Sequence, residues 1–501
     1  MKHTIKHSVL GLALLSSVGF TQSTNAQNNS TQKPNIIVFL VDDMGWQETS
    51  VPFHTEKTPL NERFHTPNME RLANNGMRFT QAYASAVCSP SRVSLITGTN
   101  PARHGVTCWT LFKGKSPERN HKTLKRADWN VNGLTTQQGV PHSFCWEQTL
   151  PNVLKQAGYY TMHIGKAHFG AIDTPGADPI NIGFDLNIGG HAAGGPGSYH
   201  GDKDFSAKWR KGWPVWDVPG LGQYHGKAIN LTEALTLEAN KAIEQSVKNK
   251  KPFFLHMAHY GVHAPWEPDR RFVQKYLDAG LDTLLANHAS MIESMDKSLG
   301  DIMQKLKELK IDQQTIILFI SDNGAPSQMT RNRPLRGHKI TPYEGGIRVP
   351  MIVKWPGESN CTGTTDQPVL IQDVYPTVIQ WAGATQHMPN IEDNQSIVPI
   401  IRHKTQKTRS LIWHYPNFYD VEPFSVIRKK DWKLIYRYND NHFELYNLKN
   451  DISERNDLAK REPKRVKKLA KELTQYLKRV KAHRPFKGTN PASWPDETIK
   501  Q

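Results

Sequence analysis

Asn35-Ile36-Ile37-Val38-Phe39-Leu40-Val41-Asp42-Asp43 is an apolar run, rich in β-branched side chains, closed by two carboxylates. A strand buried on one face alternates apolar and polar residues; a strand buried on both faces, inside a parallel sheet, does not. The run therefore predicts a central parallel strand. Thr315-Ile316-Ile317-Leu318-Phe319-Ile320 repeats the pattern and ends in Ser321-Asp322-Asn323-Gly324. Similar runs at 158–164, 251–258 and 351–353 predict further strands of the same sheet. Open α/β sheets gather their ligands at the carboxyl ends of the strands, so Asp42-Asp43 and Asp322-Asn323 should converge on one edge. Four oxygen-bearing side chains without thiolate or imidazole suit a hard divalent cation such as Ca2+.

A second motif is Cys88-Ser89-Pro90-Ser91-Arg92-Val93-Ser94-Leu95-Ile96-Thr97-Gly98. Pro90 fixes the backbone ahead of a helix whose first-turn N–H groups form an anion site. Arg92 adds a planar cation able to fork onto an oxyanion, and Gly98 suits the helix C-terminus. Gly165-Lys166-Ala167-His168 and His263-Ala264-Pro265 follow two of the predicted strands, and Lys339 lies in Arg336-Gly337-His338-Lys339.

Taken together, these motifs resemble the signature of the formylglycine-dependent sulfatases, within the alkaline phosphatase superfamily. The resemblance implies that Cys88 is converted to 3-oxoalanine (formylglycine) by a formylglycine-generating or anaerobic sulfatase-maturating enzyme. The hydrate of that aldehyde is the nucleophile. It further implies that Asp42, Asp43, Asp322 and Asn323, with residue 88, hold one Ca2+ per chain. Arg92, Lys166 and Lys339 neutralise the sulfate, His168 acts as an acid–base group, and His263 protonates the leaving oxygen. His256 and His259 are read as packing residues or as supports behind the site, and Arg348 as half of a buried ion pair. The fold expected is α/β: a large mixed, mostly parallel sheet flanked by helices, with a smaller C-terminal α+β subdomain of antiparallel strands and a helix.

Lys2 and Lys6 precede the apolar stretch Val9–Phe20, and Thr24-Asn25-Ala26 offers a small-residue cleavage site. Residues 1–26 thus read as a signal peptide, 27–400 as the catalytic domain and 401–501 as the C-terminal subdomain. A polar, disordered tail is expected from Gln27 to Lys33. The reading implies export to the periplasm or beyond, with no membrane span in the mature chain. Within 401–501, Phe424–Arg428, Trp432–Tyr436 and Phe443–Leu448 alternate as short strands. Val466, Leu469, Leu473, Leu477 and Val480 are spaced for one face of a helix.

The net charge of +17, two units of which belong to Lys2 and Lys6, suits an anionic partner. No nucleic-acid-binding motif accompanies it, so nucleic acid is excluded in favour of a sulfated carbohydrate. Two insertions, Cys108–Cys145 and Gly183–Tyr224, place tryptophans beside cations, a composition suited to sulfated sugars. The substrate expected is an algal polysaccharide such as ulvan, or its oligosaccharides. A glycosaminoglycan, an aryl sulfate, or a phosphate or phosphonate ester within the same superfamily is the alternative. His104, His191, Arg331, Arg333 and His338 flank the catalytic motifs and are expected to read the sugar. Cys88 aside, three cysteines remain; Cys108 and Cys145 could pair, which spacing leaves open.

Overall fold

The computed structural model describes Met1 and residues 33–327, 332–404 and 406–499. Apart from Met1, the expected signal segment lies outside the described residues, as do Gln27–Gln32 and Arg331. The fold below is that of the unit Pro34–Gln501.

The main sheet contains β1 (Asn35–Val41), β2 (Met77–Phe79), β3 (Tyr160–Gly165), β4 (Leu186–Ile188), β5 (Phe253–Ala258), β6 (Thr315–Ser321), β7 (Met351–Lys354) and β8 (Gly363–Thr365). Their spatial order is β8-β2-β7-β6-β1-β5-β3-β4. β1 runs parallel to both of its neighbours, β5 and β6, while β7 is antiparallel to β6 and β2. Every residue of β1 is buried, and its side chains divide by parity. Ile37, Phe39 and Val41 enter one apolar core, whereas Ile36, Val38 and Leu40 enter another on the opposite face. An unbroken apolar run is what two covered faces require.

Helix α1 (Cys88–Thr97) and α4 (Val374–Trp381) cover the second face through Val93, Leu95, Val378 and Ile379. Helices α2 (Leu231–Lys248) and α3 (Thr283–Glu308) cover the first through Leu235, Ile243, Ile292 and Leu299. The expected fold class is the observed one.

The C-terminal sheet is an antiparallel meander of β9 (Ser410–Tyr415), β10 (Phe424–Lys429), β11 (Trp432–Arg437) and β12 (Phe443–Asn447). Three of these strands follow the alternation seen in the sequence, and β9 is additional. Helix α5 (Pro463–Arg479) packs Val466, Leu469, Leu473 and Leu477 against Ile427, Leu434 and Leu445.

Lys433 of β11 is fully buried, its ammonium 2.9 Å from Glu344 Oε1 and 2.8 Å from Glu454 Oε1. One ammonium neutralises one carboxylate. Glu344, against the penalty of its burial, is drawn down to about 2 by Lys433, Arg348 and Arg428. Glu454 is pushed up to about 7 by burial and by Glu344. An acid whose folded pKa is raised stabilises the fold below its unfolded pKa and loses that contribution as pH climbs through the folded value. Wild type should therefore lose stability relative to Glu454→Gln between about pH 4.5 and 7, by on the order of 2 kcal/mol. Denaturant titrations at pH 5 and 8 check this, and a constant gap between the two proteins would refute it. Lys433→Met, which strands Glu454 and leaves Glu344 to Arg348 and Arg428, should cost about 3–5 kcal/mol at pH 8.

Candidate functional site

The register of β1 on β6 pairs Val41 with Ser321, so the residues that follow each strand meet. The Asp43 N–H donates to Asp322 Oδ1 at 3.2 Å, and Asn323 Nδ2 donates to Asp43 Oδ1 at 2.7 Å. One carboxylate oxygen from each of Asp42, Asp43 and Asp322 lies within 4.8 Å of the others. Asp42 Oδ1 and Asn323 Oδ1 are buried without a hydrogen-bond partner. Buried oxygen donors left over in this way fit a divalent cation. Cys88 Sγ is not among these mutually close ligand atoms.

Helix α1 begins at Cys88 itself, which puts Pro90 inside the first turn rather than ahead of it. Gly98, left-handed at φ 70°, ends the helix and donates its N–H to Ser94 O. One turn in from Cys88, the Arg92 guanidinium donates through Nε to Asp322 Oδ2 at 2.8 Å and through Nη1 to Lys166 O at 2.7 Å. Its Nη2 lies 3.8 Å from Asp42 Oδ1. Arg92 is fully buried and does not line the cavity, so its fork is directed at carboxylates rather than at a sulfate. Lys166 is likewise buried, its Nζ 2.5 Å from Asp42 Oδ2. The turn that delivers Lys166 passes so close to β5 that a Cβ on Gly165 would lie 1.9 Å from Ala258 O.

Lys339 completes the balance, with Nζ 2.6 Å from Asp43 Oδ1. Three buried acids thus face two buried cations, Arg92 and Lys166, and a third, Lys339, at the cavity wall. Burial and the neighbouring Asp322 raise the Asp42 pKa well above the carboxylate range. Asp43, despite burial, is held below it by Lys339 and His263. Asp43 and His168 both adopt left-handed backbone, at φ 61° and 56°, a conformation that costs free energy and concentrates at functional sites.

A cavity of about 470 Å³ opens above this cluster. Cys88, Asp43, His168, His263 and Lys339 form its ionisable pole, and Trp109, Trp216, Trp266 and Tyr419 its aromatic walls. His168 Nε2 lies 2.8 Å from Thr110 O. A carbonyl only accepts, so Nε2 carries the proton and Nδ1, buried and unpartnered, keeps its lone pair. Burial, then Lys166, hold this imidazole neutral. His263 Nδ1 donates to Ala264 O at 2.8 Å, and its Nε2 lies 3.9 Å from Asp43 Oδ2. Burial, then Lys339, press its pKa down to about 3. The Cys88 thiol is pushed up by burial despite Lys166 and Lys339, which keeps it protonated.

Of the residues expected to read the sugar, His338 lines the cavity. His104 does not: it is fully buried, Nε2 lies 3.1 Å from Ser94 Oγ, and Nδ1 accepts the Val106 N–H. Both of its ring nitrogens serve the joint after α1. His191 also stands outside the cavity lining and holds His168 instead, by accepting its backbone N–H at 3.1 Å. Arg333 is exposed to solvent away from the lining, and Arg331 is outside the described residues. His256 and His259 are buried as expected, against His163 and Ser298. Arg348 pairs with Glu344 at 3.4 Å. All four cysteines are free, so Cys108 and Cys145 do not pair.

The residues sequence reading misses are Tyr419, Asp420 and Val421, which reach the cavity from the β9–β10 connection. Nothing local distinguishes that connection from an ordinary turn; only the docking of the C-terminal sheet brings it there.

Comparison with known proteins gives this geometry its context. The Sulfatase family matches residues 34–384, and the C-terminal region of N-sulphoglucosamine sulphohydrolase matches residues 338–483. A sulfatase of Formosa agariphila is 31% identical over 503 residues, covering 88% of this chain and 87% of its own. The N-acetylgalactosamine-6-sulfatase of Mus musculus is 31% identical over 422 residues, covering 81% of this chain and 72% of its own. The crystal structure of Ps i-CgsB in complex with k-i-k-neocarrahexaose superposes with a TM-score of 0.73 at 25% identity, covering 93% of this chain and 97% of that one. With its strand-end acids, Cys88 helix and family match over most of its length, the chain belongs to the sulfatase family and is a sulfuric ester hydrolase.

Proposed function

We propose that this sulfatase removes sulfate from a sulfated carbohydrate, an algal polysaccharide such as ulvan or its oligosaccharides. In this reading Cys88 is matured to formylglycine by a formylglycine-generating or anaerobic sulfatase-maturating enzyme. Asp42, Asp43, Asp322 and Asn323 hold one Ca2+, and the protein works after export to the periplasm or beyond. The observation that carries the reading is the two-sided lining of the cavity. Lys339, His168 and His263 stand at one pole beside Cys88, and Trp109, Trp216 and Trp266 form aromatic walls suited to the apolar face of a sugar ring. The oligosaccharide bound to Ps i-CgsB supports the carbohydrate class. The mouse N-acetylgalactosamine-6-sulfatase supports a glycosaminoglycan as the second candidate.

A buried thiol held protonated is a poor nucleophile, which favours a modified residue at position 88 over the cysteine itself. The hydrated aldehyde supplies two hydroxyls on one carbon, one to attack sulfur and one whose deprotonation later frees the sulfate. A bound Ca2+ supplies neutralisation of a sulfuryl oxygen and acidification of the attacking hydroxyl.

The chain's own residues do the rest. Arg92, with no face toward the cavity, orients Asp322 and the Lys166 turn. Lys339, at the cavity wall, offers an ammonium to the sulfate oxygens and a proton to the leaving alcohol. His168 presents an unprotonated Nδ1 and so accepts a proton from a hydroxyl at position 88. His263 is neutral as it stands; the negative charge of a bound sulfate ester raises its pKa, so the imidazole becomes a donor only with substrate in place.

Mass spectrometry of the peptide spanning Cys88, from protein made beside a maturation enzyme, should show 3-oxoalanine. Active protein carrying only cysteine there would refute the nucleophile assignment. Sulfate release from defined sulfated oligosaccharides of algal and glycosaminoglycan origin tests the substrate, and turnover of aryl sulfate alone would sink the carbohydrate reading. His263→Ala and Lys339→Ala should each lower kcat by about 10²–10⁴-fold on every sulfate ester.

The metal has its own readout. Ca2+ added to stripped protein at a hundredfold excess over Kd should stabilise it by about 2.7 kcal/mol. Asp43→Ala should abolish that shift in thermal unfolding, and a shift of equal size in the variant would place the ion elsewhere.

A further inference from the structure

Phe112 and Trp213 come from the two long insertions, and their rings meet edge-on with centroids 5.5 Å apart. Both adjoin the cavity in sequence, because Leu111 and Trp216 are part of its lining. The pair therefore sits on the same two insertions that supply part of that lining. Trp213 is 65% exposed, the most exposed of the large apolar side chains described in the folded unit. Its neighbour Trp209 is treated differently by the fold: Lys203 Nζ sits 3.9 Å from that ring, and its indole N–H donates to Gly197 O at 3.0 Å. Lys115 lies 5.8 Å from the centroid of Phe112, the ring that Trp213 meets, and is exposed and in none of the ion pairs among the described residues. An indole left in water against a phenyl ring that carries an unpaired ammonium, close in sequence to the lining of a catalytic cavity, is a surface without its ligand.

We propose that Phe112, Trp213 and Lys115 form an outer sugar subsite. It takes the second residue of a sulfated oligosaccharide whose first residue occupies the cavity. The proposal rests on the carbohydrate reading above and deepens it, because it makes a chain, not a free monosaccharide, the preferred substrate. A pyranose presents a face of C–H bonds that stacks on the electron-rich face of an indole, and Lys115 meets the anionic substituent of the same ring. Phe112 braces the Trp213 ring from the other insertion, and exposure leaves the indole free of other duties.

The test compares KM for defined tetrasaccharides of carrageenan, ulvan and chondroitin sulfate with KM for the terminal sulfated monosaccharide of each. In whichever series wild type cleaves, the tetrasaccharide should have a KM at least tenfold lower. Trp213→Ala should bring the tetrasaccharide KM up to that of the monosaccharide, with kcat and the monosaccharide KM unchanged. Trp213→Phe should recover most of the loss, and Lys115→Ala should show part of it, diminishing with added salt. A tetrasaccharide KM unmoved by Trp213→Ala would overturn the subsite while leaving the carbohydrate reading intact. So would a dimer in wild type that Trp213→Ala dissolves, since the ring would then be covered by a second copy. Wild type that cleaves none of the three series would overturn the carbohydrate reading itself, and the subsite with it.

Discussion

Arg92 and Asp322 form an ion pair of 2.8 Å with no solvent exposure on either side chain, and the geometry of the site depends on it. A guanidinium so placed is unfavourable unless its donors are matched, and here each matched donor joins a different part of the chain. Nε reaches the end of β6 and Nη1 the turn after β3, while Nη2 faces Asp42 after β1. Arg92 sits one helical turn from Cys88, so the same contact fixes where residue 88 stands relative to the acids. The parallel register of β1 with β6 sets the height of the two acid pairs, and Arg92 sets their distance from the helix.

The cluster as a whole is electrically balanced but not relaxed. Asp42, Asp43 and Asp322 face Arg92, Lys166 and Lys339 at the floor of the cavity, and the arrangement leaves Asp42 Oδ1 and Asn323 Oδ1 without partners. Asp43 and His168, and at the cavity wall Ile340 and Asp420, hold left-handed backbone. Strain and unmatched polar atoms of this kind persist only where surrounding structure imposes them, and here the imposing structure is a sheet buried on both faces. The imidazoles answer to the same environment. His168 is closed off from the water that would stabilise its charged form, His263 is only partly exposed at the cavity wall, and nearby ammonium groups oppose protonation of both, so both rest neutral.

The cavity mouth is assembled from parts distant in sequence. Glu118, in the first insertion, accepts the Phe418 N–H at 3.1 Å and the Trp129 indole N–H at 3.0 Å. Trp109 meets Tyr419 edge-on at 5.4 Å, and His121 lies 3.1 Å from Glu422. These contacts clamp the insertion onto the β9–β10 connection. The C-terminal sheet is in turn tied to the main body by Lys433, buried between Glu344 and Glu454. Recognition of whatever lies beyond the sulfate is thus linked to how the two sheets dock.

The central strands, the acids that close them, the Cys88 helix and its glycine cap could all be read from the chain. Each is a local pattern: an apolar run long enough for two covered faces, a carboxylate at its end, a glycine where φ turns positive. Convergence of Asp42-Asp43 with Asp322-Asn323 was also legible, because parallel strands have only one carboxyl edge. What proximity in sequence could not decide was direction. His104 follows the Cys88 helix closely yet turns inward to Ser94, and Arg92 points its fork at carboxylates rather than at the cavity. Tyr419 and Asp420 carry no local signal at all and reach the cavity because a separate sheet docks beside it. Periodicity and backbone preference are short-range and survive in sequence; the facing of a loop side chain is set by long-range packing, and only the tertiary structure decides it.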